Sequence, residues 1–238
     1  MTLALLACAI ASLGLILLVA AGPLYRIGVL SLPNAFTLLR WGAYAGVAAM
    51  VAGLLAGMLA YHRGARVRTL LAAAAFLGGV AAFGIPFQWQ RAARNVPPIH
   101  DITTDLDNPP TFEAVVPLRA DAPNTLDRPP ALAEQQRQGY PDLAPITLSM
   151  PSEQAFDRAL AAAQEAGWRI VTADKGSGRI EATDTTRWFG FQDDIVVRLT
   201  PWGAGTRVDV RSVSRVGRSD TGTNARRIRR YLDGLRSE

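Results

Sequence analysis

One cysteine, one lysine and two histidines in 238 residues remove several kinds of chemistry before any motif is sought. Cys8 lies inside an apolar run, so the rest of the chain has no thiol for a disulfide, a thiolate metal site or a nucleophile. His62 and His100 are too few for a His-rich metal site. A glycine-rich phosphate loop, a serine nucleophile elbow and a CxxC pair are missing as well. These gaps set the expectation of no metal, no cofactor and no catalytic residue. Acidic residues are missing from everything before Arg91, a stretch with five arginines (Arg26, Arg40, Arg63, Arg66 and Arg68). Lys and Arg number 25 against 20 Asp and Glu. The excess of +5 therefore sits in that stretch, the remainder is formally neutral, and no nucleic-acid partner is implied.

Long apolar runs fill the acid-free part. Leu3–Ala21, Trp41–Ala60 and Leu70–Phe87 are uncharged over 19, 20 and 18 residues. A helix needs about 20 apolar residues to cross the hydrocarbon, so residues 1–90 read as a three-helix transmembrane region. Tyr25-Arg26, Arg40-Trp41, Tyr61-His62-Arg63, Trp89 and Arg91 stand where interfacial anchors belong. Gly22-Pro23 and Pro86 read as helix ends. The many glycines and alanines of the second and third runs permit close helix contact. The first run lacks a basic leader and reads as a retained span; Leu5-Leu6-Ala7-Cys8 looks like a lipoprotein box but precedes its hydrophobic segment, so lipidation is not expected. Three spans put the turn Tyr61–Thr69 on one side and the soluble part on the other. The arginine tally is three against four, while charge density favours the short turn inside, which predicts an exported soluble domain.

Residues 91–150 hold most of eleven prolines found between Asn95 and Pro151, which argues against continuous helix and for an extended strap pinned by Phe112, Val115, Val116, Leu118 and Ile146. Residues 151–238 show clear periodicity. Ser152 is placed as an N-cap, Phe156, Ala159, Leu160 and Ala163 share a face, and Gly167 ends the helix. Alternation at Trp168–Thr172, Arg179–Asp184, Ile195–Leu199 and Arg207–Arg211 predicts four antiparallel strands with one apolar face. A last helix from Ser219 or Asp220 carries Ala225, Ile228, Leu232 and Leu235 on one stripe and Arg226, Arg229 and Arg230 toward water. The expected class is α+β, in the order αββββα. Trp188-Phe189-Gly190-Phe191 is expected to pack in the core at a bulge, and Asp193-Asp194 to open a strand in solvent.

Two segments carry more hydrogen-bonding side chains than turns need: His100–Asp107, and Arg211–Asn224. The patterns Ile99-His100-Asp101-Ile102-Thr103-Thr104-Asp105 with Pro109-Pro110 and Phe112, and Arg211 to Ile228, resemble the domain-of-unknown-function 1499 family across about residues 97–235. The resemblance implies a membrane-attached or exported envelope domain, or a thylakoid-lumen one in plants, and no established activity, substrate or cofactor.

Three readings of the residues stay open. Asp101, Asp105 and Asp107 accept from Arg211, Arg215 and Arg218, and the strap docks onto the corner between the last strand and the last helix. Alternatively Arg211, Ser214, Arg215, Arg218, Ser219 and Asn224, with His100, Asp101 and Asp105 alongside, form a site for an anionic small molecule, a lipid headgroup or an envelope partner. In a third, His100 with Asp101 or Asp105 supplies a hydrolase-like base. A non-catalytic binding or accessory module is the preferred function, with hydrolase and structural cap of a membrane complex as alternatives.

Overall fold

The computed structural model describes residues 2–237. It divides into two compact units, Met1–Ala92 with Trp188–Gly190, and Ala93–Arg187 with Phe191–Glu238.

The first unit contains α1 (Thr2–Arg26), α2 (Leu32–His62) and α3 (Arg66–Arg94), each long and apolar enough to cross a membrane. Glycine brings their backbones together. A Cβ on Gly14 would lie 3.0 Å from the Gly42 carbonyl oxygen, one on Gly46 2.8 Å from that of Gly79, and one on Gly53 2.9 Å from that of Ala72. Pro23 and Pro86 lie inside helices instead of ending them. A proline in a span persists where another group satisfies the backbone it frees. Pro23 has no amide to give the carbonyl of Val19, four residues earlier, and the indole N–H of Trp188 donates to that oxygen at 3.1 Å. Gly22 makes room, since a Cβ there would sit 2.8 Å from the Trp188 oxygen and 2.9 Å from its ring. Trp188 also meets Trp89 at 5.1 Å, and Phe189 lies 5.8 Å from both Tyr25 and Phe36. Trp188–Gly190 thus belong with the helices, although their chain neighbours are strands, and they do not pack at a sheet bulge as expected.

The second unit is built on a six-stranded antiparallel sheet, not a four-stranded one. Its strands are β1 (Asp101–Thr103), β2 (Ile146–Leu148), β3 (Arg169–Asp174), β4 (Arg179–Thr185), β5 (Gln192–Trp202) and β6 (Gly205–Ser214). The order is β1-β6-β5-β4-β3, and β2 also pairs with β6, so the two strap strands follow one another along its outer edge. Thr104 bridges them by donating to the Val210 oxygen at 2.9 Å and accepting from the Val210 amide through its hydroxyl at 2.9 Å. Pairing an otherwise open edge removes a row of unsatisfied amides and carbonyls. The strap also contains a short 3-10 turn (Val116–Arg119) and a helix, α4 (Pro130–Gly139), despite its prolines. Pro130 occupies the first helical position, where a missing amide costs nothing. Buried Gln136 of α4 then exchanges bonds with the backbone of Thr103, at 3.0 and 2.5 Å, and covers the edge of β1.

Two helices, α5 (Ser152–Glu165) and α6 (Thr223–Ser237), cover one face of the sheet. Phe156, Ala159, Ala163, Ile228, Leu232 and Leu235 pack there with Ile180, Ile195, Val197, Val208 and Val210. Pro151, not Ser152, stands at the N-cap of α5; the Ser152 hydroxyl pairs with that of Thr206 at 3.2 Å. Helix α6 begins three to four residues later than expected because Thr221 and Gly222 are left-handed (φ 53° and 78°), while the Asp220 carboxylate accepts from the amides of Gly222 and Asn224 at 2.9 and 2.6 Å. The other face is buried beneath the strap. Phe112, Val115, Val196 and Val213 form a second core there, and Glu181 and Asp194 are fully enclosed.

Candidate functional site

Alternation along β6 divides the candidate residues before any ligand is considered. Arg211 and Arg215 point to the strap, whereas Ser212 and Ser214 point to α6. One site cannot collect all of them.

On the strap side, Arg211 grips Asp101 with two nitrogens at 3.0 and 2.8 Å, and also donates to the carbonyls of Pro110 and Leu126. Arg128 pairs with the same carboxylate at 2.9 Å, and burial draws its guanidinium below the ordinary arginine value even against the pull of Asp101. Asp105 receives Arg207 at 2.7 Å and Arg198 at 3.3 Å, and both arginines also reach Asp209. Arg215 was expected to pair with a strap aspartate. It instead takes Asp194 of β5 in a fork of two 2.8 Å bonds and holds the strap through the Leu118 carbonyl. Arg119 of the strap reaches the same Asp194 at 2.6 Å. Burial works against the charged carboxylate, yet the bonds from Arg215, Thr183 and Arg119 win and hold its pKa below the usual aspartate value. Glu181 accepts the amides of Glu113 and Val115 at 2.7 and 2.9 Å.

The side facing α6 holds a polar network that residue patterns did not reveal. Arg227, buried among three arginines expected in water, donates to Asp193 at 2.6 Å, Asp184 at 2.8 Å, Ser212 at 3.1 Å and the side-chain oxygen of Asn224. Burial opposes its charge, but Asp193 and Asp184 raise its pKa above the ordinary arginine value. Asn224 completes the net through Ser212, Ser214 and the His100 carbonyl. Asp193 and Asp194 are both buried, so the reading of a solvated strand start was wrong: adjacent strand residues face opposite sides, and each meets its own arginine. The visible hint was an acid at alternate faces of a strand whose other residues are apolar.

Few of the candidate polar groups remain unpaired. Arg218 is exposed, and its guanidinium has no hydrogen bond or ion pair among the described residues. Ser219 accepts from Thr221 and keeps its own proton to donate. The His100 imidazole is half-buried with no polar partner among the described residues. The Tyr140 hydroxyl is buried without a partner, and burial, then Asp220, pushes its pKa up to about 12. A concavity of about 360 Å³ opens beside Arg227, bounded by Asp184, Arg230, Glu165 and the stacked pair Trp168 and Tyr231, whose rings are 4.7 Å apart. Among the described residues no three His, Cys, Asp or Glu gather as a metal would need.

Asp101, β6 and the Arg211–Ile228 segment are thereby one bonded framework, and the family described as "Protein of unknown function (DUF1499)" matches residues 101–235. The chain belongs to that family. The match begins on the first strap strand, so the DUF1499 domain includes the strap that the ion pairs hold. No curated protein and no solved structure matches the chain.

Proposed function

We propose that this chain is a non-catalytic, membrane-anchored accessory module of the cell envelope. One observation carries the reading: the acids best suited to chemistry are spent on arginines. A general base must have a free lone pair within reach of its substrate. Asp101 and Asp105 each accept from two arginines, which leaves the His100 imidazole without the acid that would orient it as a base.

Contact with an anionic small molecule, a lipid headgroup or an envelope protein falls to the donors that are not spent, Arg218, the Ser219 hydroxyl and the His100 imidazole. Arg211, Arg215, Ser214 and Asn224 then support this rim rather than touch the ligand. The tied corner equally suits a structural cap, and anion binding separates the two. Melting of the full chain in neutral detergent, titrated with phosphate against a chloride control, is expected to rise, and Arg218→Ala to abolish the rise. Equal curves for phosphate and chloride in the unmodified protein would leave the cap.

The dense Arg63, Arg66, Arg68 turn supports a periplasmic domain on a bacterial inner membrane. In a Cys8→Ser background, a cysteine in place of Ser177 should react with an impermeant maleimide in intact cells whose outer membrane is permeable. Labelling only after lysis would place the domain in the cytoplasm.

A further inference from the structure

The end of the helical unit that carries the turn between α2 and α3 contains a groove of about 160 Å³. Its floor is Ala4, Ala56 and Ala60, all buried, and its walls include Leu3 and the exposed Leu59. Arg63 and Arg68 complete its lining. Both are exposed, and neither guanidinium has a hydrogen bond or ion pair among the described residues. The first acid of the chain is Asp101, so the helical unit offers these arginines no carboxylate of its own. The contrast with the sheet domain is sharp, because there Arg119, Arg211 and Arg227 are each matched to an aspartate.

A counter-charge must therefore come from outside the unit, and the position defines its source. Helix α2 ends at His62 and α3 starts at Arg66, so Arg63 and Arg68 flank two spans at the level where a bilayer carries its phosphates. Guanidinium presents forked donors that match a phosphate ester, and an apolar groove beneath it suits glycerol and the first acyl carbons. A zwitterionic lipid would bring an ammonium group to the same two cations, which favours a lipid with net negative charge. From this geometry we infer that the groove binds the phosphate of an anionic phospholipid between Arg63 and Arg68. This site is separate from the rim around Arg218 and does not depend on that reading.

The test uses the full chain in a neutral detergent, with phosphatidylglycerol and phosphatidylcholine of identical acyl chains offered together and bound lipid read by native mass spectrometry. Phosphatidylglycerol should be preferred by about 30-fold, as two arginines near the phosphate plane imply. The double variant Arg63→Gln with Arg68→Gln should lose most of that preference. Arg66→Gln removes a charge from the same turn but from outside the groove, and should keep it. All three side chains are exposed, so lipid-free melting should be alike in every variant. Equal uptake of the two lipids, or an Arg66→Gln loss as large as that of Arg63→Gln or Arg68→Gln alone, would overturn the site in favour of diffuse surface charge. Displacement of the lipid by millimolar glycerol 3-phosphate would overturn the lipid as its occupant.

Discussion

On the helix side of the sheet, Ile180, Ile195, Val197, Val208 and Val210 meet Phe156, Ile228 and Leu232; on the strap side, Val196 and Val213 share the surface with Glu181, Asp194, Asp209 and Arg211. Apart from the Arg227 network, the first contact is apolar area removed from water, which has no preferred direction. The second is a set of charges taken out of water, and each is tolerable only because its partner arrives from a particular place in the strap. A mismatch among the apolar residues of the helix side opens a cavity. A mismatch on the strap side leaves a bare charge in the interior.

Asp194 offers the largest expected effect, because two arginines depend on it. Asp194→Ala should cost about 3–5 kcal/mol in chemical denaturation of the full chain, since it leaves the guanidiniums of Arg119 and Arg215 inside without their anion. Acid should reproduce part of this. A carboxyl whose folded pKa is lowered stabilises fully above its unfolded value of about 3.9 and loses that contribution as pH falls through the lower folded value. Melting temperatures between pH 2 and 7 should therefore fall in acid for the wild type, and less so for the variant. Arg215→Ala should cost less, about 1.5–3 kcal/mol, because Arg119 still neutralises Asp194. If Asp194→Ala costs under about 1 kcal/mol, the two faces do not differ as described.

How far these faces could be read from residues alone follows the same division. Helices α5 and α6 and the four long strands carry apolar residues at regular intervals, so their periods identify them. Strands β1 and β2 are three residues each and have no period to detect; they exist because β6 offers an edge. Helix α4 starts at Pro130, the one helical position a proline suits, so a high proline content does not exclude it. Of the three acceptors and three donors in the strap-docking reading, only Asp101 and Arg211 pair with each other; Asp105 takes Arg198 and Arg207, Arg215 takes Asp194, and Asp107 and Arg218 form no ion pair among the described residues. The pairing of Arg215 with Asp194 and the burial of Arg227 depend on strand register and helix rotation, which residue type does not encode.

The helical unit provides a smaller version of the contrast, in which one polar group meets an apolar surround. Trp188→Phe keeps the ring contacts but leaves the Val19 carbonyl without its donor, and should lower the melting temperature by the equivalent of about 1 kcal/mol. In a Pro23→Ala background the restored amide serves that carbonyl, so the same change should cost clearly less. Equal costs in both backgrounds would remove the proline from the explanation. Smallest of all should be Arg229→Ala. Its bidentate pair with Asp142 is largely exposed, and the loss should stay under about 1 kcal/mol and shrink with salt.

The claim beneath these comparisons is that the strap is a second layer of the sheet domain and not a tether between it and the membrane helices. Amide hydrogen exchange on the full chain measures this residue by residue, because protection reports the free energy of opening each hydrogen bond. Thr103, whose amide is held by Gln136, Thr104, held by Val210, and Val115, held by Glu181, should open only with the domain as a whole, with the same free energy as Val197 in the middle of β5. Strap amides exchanging at nearly unfolded rates while Val197 stays protected would contradict the account.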